Sequence, residues 1–316
     1  MIRVMEKNKK MNKLQLIYEQ ALQVTNKGKV ASYIPALASF NERLFAVSLL
    51  SESDEINFGE VDVSFTLQSV VKVISFIVAA NHHGLDEVMK FVDVEPTGDS
   101  FNSIVRLESN KNKPFNPMIN AGAITIASLL PGENLYAKVK SVTSFLEQIL
   151  GKQVHINNEV YFSEYHSADY NRAIAYILQA NGFLKSDVEE SLQVYLQLCS
   201  ISVNVVDLAK IALYFATNDR SCSVHCNRQV MNVAKALMLT CGMYNASGNF
   251  AAFVGLPAKS GVSGAIITFV KDGQIEGLKG PIGIGLYGPA IDEVGNSVAG
   301  IHFLTELSRQ YDLFCL

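Results

Sequence analysis

The spacing of apolar positions changes character twice along the chain. Residues 11–27 carry Leu14, Ile17, Leu22 and Val24 at helical intervals and stop at Gly28, which predicts an amphipathic helix. Residues 44–50 (LFAVSLL) read as a strand, SESDEIN as a turn, and a second strand follows toward Phe65. The next stretch is mainly helical in period, over 69–83, 120–130, 133–150, 165–181, 187–199, 204–217 and 227–241. Around 250 the texture turns β-rich and glycine-punctuated in AAFVGLPAKSGVSGAIITFVKDG and GPIGIGLYGP, with Asp272-Gly273 as a hairpin signal. A last helix covers 296–311. Strands at both ends with helices between predict an α+β fold: a sheet lobe formed by both chain ends, an inserted helical lobe, and an active-site cleft at their junction.

Composition narrows the function. The 316 residues are 49% hydrophobic and 18% charged, enough for a large core in one bilobal domain or two small ones. A net charge of −4, from 26 basic and 30 acidic residues, recommends neither nucleic acid nor an anionic membrane as partner. The basic start MIRVMEKNKKMNK lacks a following apolar segment, so it does not read as a signal peptide. Apolar runs fall well short of the ~20 residues that span a bilayer. Five cysteines, an odd number, fit a reduced, cytoplasmic protein. Cys222, His225 and Cys226 cluster without a partner motif and read as free thiols beside a histidine, not a metal clip. No metal or cofactor motif emerges. Gly283-Ile-Gly285 lacks the third glycine, following helix and acidic residue of a dinucleotide site. His82-His83 before Gly84 reads as a helix end.

Candidate chemistry lies in two short segments. Ser69-Val70-Val71-Lys72 and Lys259-Ser260-Gly261-Val262 each contain a tripeptide or tetrapeptide pattern that occurs once in the chain. In this order they point to a serine acyl-transfer enzyme with a lysine base. Residues i and i+3 share a helix face, so Ser69 and Lys72 can meet. A lysine takes the serine proton only when burial or cationic neighbours depress its pKa, and Val73, Ile74, Phe76, Ile77 and Val78 supply an apolar setting. Lys259 is a candidate second positive charge, lowering the first amine's pKa and attracting an anionic substrate group. Backbone N–H groups of Ser69, at a helix start, and Val262, on a strand edge, are candidate oxyanion donors. Ser-x-x-Lys alone is expected about once by chance in a chain this long, and reads as an ordinary helix start. The ordered pair carries the inference.

Further blocks extend it. Gly28-Lys-Val-Ala-Ser-Tyr33-Ile-Pro35, Phe65-Thr-Leu-Gln68-Ser69, Pro117-Met-Ile-Asn120-Ala-Gly122-Ala, Glu164-Tyr-x4-Tyr170-Asn171-Arg172, Cys241-Gly-Met-Tyr244 and Gly295-Asn-Ser-Val-Ala-Gly300 stand in order along the chain. Across roughly residues 28–310 the chain resembles the bacterial serine-dependent glutaminases, which are related in fold to serine β-lactamases and penicillin-binding proteins. The resemblance implies a three-layer α/β/α architecture and one domain over 1–316. Its sheet lobe would comprise about 28–66 plus 250–316, and its helical lobe about 67–249. It implies Ser69 as nucleophile and Lys72 as base, with Tyr33 and Tyr244 flanking the serine. Glu164 would pair with the substrate α-ammonium, and Asn120, Asn171 and Tyr195 would hold its α-amino and α-carboxylate ends. Val262 would complete the oxyanion hole, with Gln68 in support. It also implies L-glutamine as substrate, no cofactor, and a homodimer or homotetramer. Val71 and Ser263-Gly264-Ala265 depart from the family pattern. Two other readings stay open: a β-lactam or D-Ala-D-Ala peptide hydrolase, and a non-catalytic glutamine sensor.

Overall fold

The computed structural model describes residues 12–98, 103, 110–217 and 224–315. Cys222 lies outside them. Strands β1 (Ala46–Leu50) and β2 (Glu55–Phe58) form a hairpin, and β3 (Phe65–Thr66) follows. Helices α2 (Val71–His83), α3 (Leu85–Val88), α4 (Asn120–Leu129) and α5 (Leu135–Leu150) come next, after α1 (Lys13–Leu22) at the start. Then come β4 (His155–Ile156), α6 (Asn158–His166), α7 (Asp169–Ala180), α8 (Val188–Cys199), β5 (Ile201–Val203), α9 (Val205–Thr217) and α10 (Arg228–Cys241). The chain closes with α11 (Ser247–Phe253), β6 (Ala258–Ser260), β7 (Ala265–Ile275), β8 (Leu278–Tyr287) and α12 (Val298–Tyr311).

The large sheet is antiparallel in the order β2-β1-β8-β7-β6, so strands from both chain ends pair in it, with Val47 opposite Leu286 and Ile267 opposite Gly285. Its side chains alternate between two cores. Val47, Leu49, Ile266, Ile284 and Leu286 pack with Leu14 and Ile17 of α1 and Phe303, Leu304 and Leu307 of α12. Ala46, Ala265, Ile267 and Phe269 face α9 and the helical core. This gives the α/β/α layering. Gly283 and Gly285 belong to it: a Cβ on either would come within 2.4 Å of α9 backbone oxygens, so glycine lets that helix lie on β8. No helix of the described residues is long and apolar enough to cross a membrane.

Several boundaries differ from expectation. The second strand ends at Phe58; Phe65–Thr66 joins a separate sheet in the order β3-β5-β4. The first helix ends at Leu22, and a 3₁₀ turn over Thr25–Lys27 fills the space before Gly28. The span 165–181 is two helices broken at Ser167–Ala168, and α11 occupies residues expected to be β-rich. Asp272-Gly273 is not the hairpin turn: the β7–β8 register shifts between Val270 and Gly273, and the chain reverses after Ile275, where Glu276 adopts φ 51°. A bulge uses the same residue types as a turn, so the dipeptide marked the irregularity without fixing its kind.

Candidate active site

The nucleophile segment is anchored before it bends. β3 pairs with β5, and Leu67 N–H donates to Ile201 O at 2.9 Å. The chain then enters a 3₁₀ turn over Gln68–Val70, with Gln68 at φ 49°, and continues as α2. A left-handed glutamine is strained by ~1–3 kcal/mol and persists only where the surroundings hold it. Its side chain does so, donating to Thr66 Oγ1 at 3.2 Å and Glu164 Oε1 at 2.6 Å. Ser69 is thereby fixed at the helix start, 7% exposed, one turn from Lys72, which is 1% exposed.

Lys72 Nζ donates to Met118 O at 3.1 Å and Asn120 Oδ1 at 2.7 Å, and lies 5.7 Å from the Tyr195 ring centre. Burial pulls its pKa down to about 8, against the opposing pull of Cys199 and Glu164. The apolar residues after it in α2 are buried, as expected. Val71, a departure from the family pattern, is buried among them.

Asn120 opens α4 beneath a turn in which Asn116 Oδ1 accepts from Met118 N–H and Ile119 N–H. A Cβ on Gly122 would meet Asn116 O at 1.9 Å, so glycine permits this fold-back. The Asn120 carboxamide then links the site. Its oxygen accepts from Lys72 and from the Tyr195 hydroxyl at 3.3 Å, and its nitrogen donates to Asn171 Oδ1 at 2.9 Å. Glu164 and Asn171 approach from α6 and α7, which meet at the Ser167–Ala168 break. Arg172, beside Asn171, is held by Glu189 at 2.6 Å and lies over the Tyr165 ring. Burial pushes the Glu164 carboxyl up to about 7, while the Gln68 hydrogen bond and Lys72 oppose it.

The third wall comes from the sheet. Gly261 N–H donates to Ala265 O and Gly264 N–H to Gly261 O, closing a turn after β6. Val262 sits in this turn and not on the strand itself. A Cβ on Gly261 would lie 2.6 Å from Leu67 O and 3.4 Å from Ser69 N, so glycine brings the turn against the nucleophile segment. Ser263 Oγ donates to Thr66 O at 2.8 Å, giving that departure a structural use: it ties the oxyanion-side turn to β3. Tyr244 enters from the 3₁₀ turn before α11, with φ 53°. Its hydroxyl donates to Ser260 O at 3.3 Å and hydrogen-bonds Ser69. Burial raises its pKa, and the side-chain hydroxyls of Ser69 and Ser260 oppose that rise.

Tyr33, Gln68, Ser69, Asn120, Glu164, Asn171, Tyr195 and Val262 all line one cavity of about 110 Å³. Lys72 and Tyr244 stand behind its wall. Tyr33 is at the mouth, 58% exposed, and the described hydrogen bond to Ser69 comes from Tyr244, not Tyr33. Lys259 departs from expectation. It is 0% exposed, does not line the cavity, and directs its amine to Gly242 O and Ser260 O. It cannot offer a charge to substrate from there, and the low proton affinity of Lys72 comes from burial instead. Ile34, Ser167, Ala168 and Leu196 also line the cavity. No sequence signal marked them: Ile34 and the Ser167–Ala168 break reach the cavity from connections, and Leu196 from α8. Among the described residues no three His, Cys, Asp or Glu side chains gather as a metal site would need.

An antiparallel sheet with an inserted helical lobe, and a buried serine one helical turn from a buried lysine at their junction, define a hydrolase of the β-lactamase-like fold. The family profile described as Glutaminase matches residues 28–315. Glutaminase 2 of Bacillus anthracis is 52% identical over 295 residues, covering 91% of this chain and 90% of the relative. A crystal structure of a probable glutaminase from Bacillus subtilis superposes with a TM-score of 0.88 at 45% identity, covering 95% of this chain and 96% of the other. A Bacillus subtilis glutaminase in covalent complex with 5-oxo-L-norleucine, formed by reaction with 6-diazo-5-oxo-L-norleucine, has a TM-score of 0.86 at 43% identity, covering 96% and 98% of the two chains. The chain belongs to the glutaminase family and is an amidohydrolase acting on glutamine.

Proposed function

We propose that this chain hydrolyses the side-chain amide of L-glutamine through an acyl-enzyme on Ser69, with Lys72 as the base that takes its proton. The observation that carries this is that Ser69, Asn120, Glu164 and Asn171 line one cavity, with buried Lys72 hydrogen-bonded to Asn120 and Tyr244 beside Ser69 behind its wall. Neutral Lys72 removes the Oγ proton, Oγ attacks the amide carbon, and the N–H groups of Ser69 and Val262 receive the developing oxyanion. The departing amide nitrogen takes a proton and leaves as ammonia. Water then attacks the ester and releases glutamate. Tyr244, bonded to Ser69, is placed to orient Oγ and pass the proton. Glu164 faces the α-ammonium, while Asn171, Tyr195 and the Asn120 amide hold the α-carboxylate end.

Covalent capture of a diazo-ketone glutamine analogue by the Bacillus subtilis relative supports this reading over a sensor that merely binds. An assay of ammonia released from glutamine and asparagine, run beside a chromogenic β-lactam, tests it. Ammonia from glutamine with no β-lactam turnover is expected, and the reverse pattern would refute it. A reduced, cytoplasmic setting and a homodimer or homotetramer complete the proposal. Cell fractionation tests the first, and light scattering on the purified protein tests the second.

Glu164→Gln should weaken glutamine binding by about 1.5–3 kcal/mol, the range for a hydrogen bond to a charged group. It should also erode the preference for glutamine over N-acetyl-glutamine, because a carboxylate gains only from a charged α-amine. An unchanged ratio of the two kcat/KM values would make Glu164 structural.

The pH profile follows from two groups. Lys72 must be neutral and Glu164 ionised, so kcat/KM should rise through about 7 and again through about 8. A bound ammonium keeps Glu164 ionised, so kcat should show the upper limb alone. A kcat that falls as pH rises from 7 to 8.5 would contradict Lys72 as base.

A further inference from the structure

Lys259 is fully buried and takes no part in the cavity, yet a buried lysine amine is costly and is kept only where it has polar partners. Its partners join β6 to the segment that presents Tyr244. Nζ donates to Gly242 O at 3.0 Å and Ser260 O at 2.6 Å, and sits 4.5 Å from the centre of the Tyr244 ring. We propose that Lys259 is a positioning residue: by bridging the carbonyls of Gly242 and Ser260 it holds Tyr244 so that its hydroxyl reaches Ser69. The proposal rests on the reading of Ser69 and Tyr244 given above.

Three observations favour this over a general structural tie. Tyr244 has a left-handed backbone, which a tyrosine keeps only under constraint. The constraint is complete along the turn. Gly242 O accepts from Lys259, Met243 O from Asn296 Nδ2 at 3.2 Å, and Tyr244 O from Ser247 Oγ at 2.7 Å. All three donors come from buried side chains. Finally, Lys259 and the Tyr244 hydroxyl share one acceptor. Ser260 O takes the lysine at 2.6 Å and the phenol at 3.3 Å, so the lysine holds the shorter bond. The phenol is then held to Ser260 O only by the longer bond, with Ser69 as its other neighbour. Without Lys259, Ser260 O would draw the phenol in and away from the serine.

The test is a double-mutant cycle between Lys259→Met and Tyr244→Phe. Methionine keeps the buried volume and removes the donors. On the parent background, kcat should fall about 10- to 100-fold, as for residues that orient a reacting group. KM for glutamine should stay within about threefold, because Lys259 does not touch the cavity. On the Tyr244→Phe background the same substitution should change kcat by less than about threefold. Equal losses on both backgrounds, or a Lys259→Met enzyme within about threefold of the parent, would overturn the proposal. A parent-like Tyr244→Phe enzyme would instead remove the role of Tyr244 itself, and the proposal with it. If Lys259→Met does not fold, Lys259→Leu, which also removes the donors, carries the same cycle. Failure of both to fold would assign Lys259 to the whole sheet and also overturn it.

Discussion

Replacing Ser69 by alanine should abolish glutamine turnover, by on the order of 10⁵–10⁶-fold in kcat, while the protein still binds glutamine. The substitution removes only Oγ. In the proposed binding mode Glu164, Asn120, Asn171 and Tyr195 hold the amino-acid end of the substrate, and their hydrogen bonds to Gln68 and to one another do not involve the serine hydroxyl. The fold should survive, since the turn is secured by the backbone bond of Leu67 and the side chain of Gln68. Calorimetry with glutamine on the inactive variant separates the two effects. Near-normal activity in a folded Ser69→Ala protein, or loss of binding together with turnover, would contradict the assignment.

Lys72→Ala should lose about 10²–10⁴-fold in kcat, the usual contribution of a positioned base, and small primary amines should restore part of it. Lys72→Arg should not recover activity, because a guanidinium stays protonated at every working pH. A Lys72→Arg enzyme equal to the parent would exclude a base role. The same residue makes a stability prediction. Its folded pKa of about 8 lies below the ordinary lysine value of 10.5. Below pH 8 both folded and unfolded states bind the proton, and the folded state holds it at a cost of roughly 3 kcal/mol. Between those pKa values the unfolded state binds more protons, so stability should rise with pH. In Lys72→Met that rise should be smaller in pH-dependent denaturation curves, the part that remains coming from buried Lys259.

The sequence was most legible where one residue type has one physical use. Ser69, Lys72, Glu164, Asn120 and Asn171 are polar groups inside apolar or specific blocks, and the fold gathers them around one cavity or its wall. The discontinuous sheet could be read from strand-like segments at both ends, which meet where β1 pairs with β8, while the α/β/α layering was implied by the family resemblance. What could not be read depends on three-dimensional neighbours. Asp272-Gly273 suits a turn or a bulge equally, and the pairing of Ile275 with Leu278 decides between them. The break between α6 and α7 carries no glycine or proline. It follows from both helices packing toward the site, with Ala168 buried and Ser167 left at the cavity. The role of Lys259 was the least visible. Its sequence position places it near the serine, but only the direction of its side chain takes it away from substrate and toward Gly242.

The most direct test of the acyl-enzyme claim is peptide mapping by mass spectrometry after inactivation with 6-diazo-5-oxo-L-norleucine. The account predicts one covalent adduct per chain, carried by Ser69, formed in parallel with loss of activity and prevented by excess glutamate. An adduct on any other residue, or full inactivation with Ser69 unmodified, would contradict it.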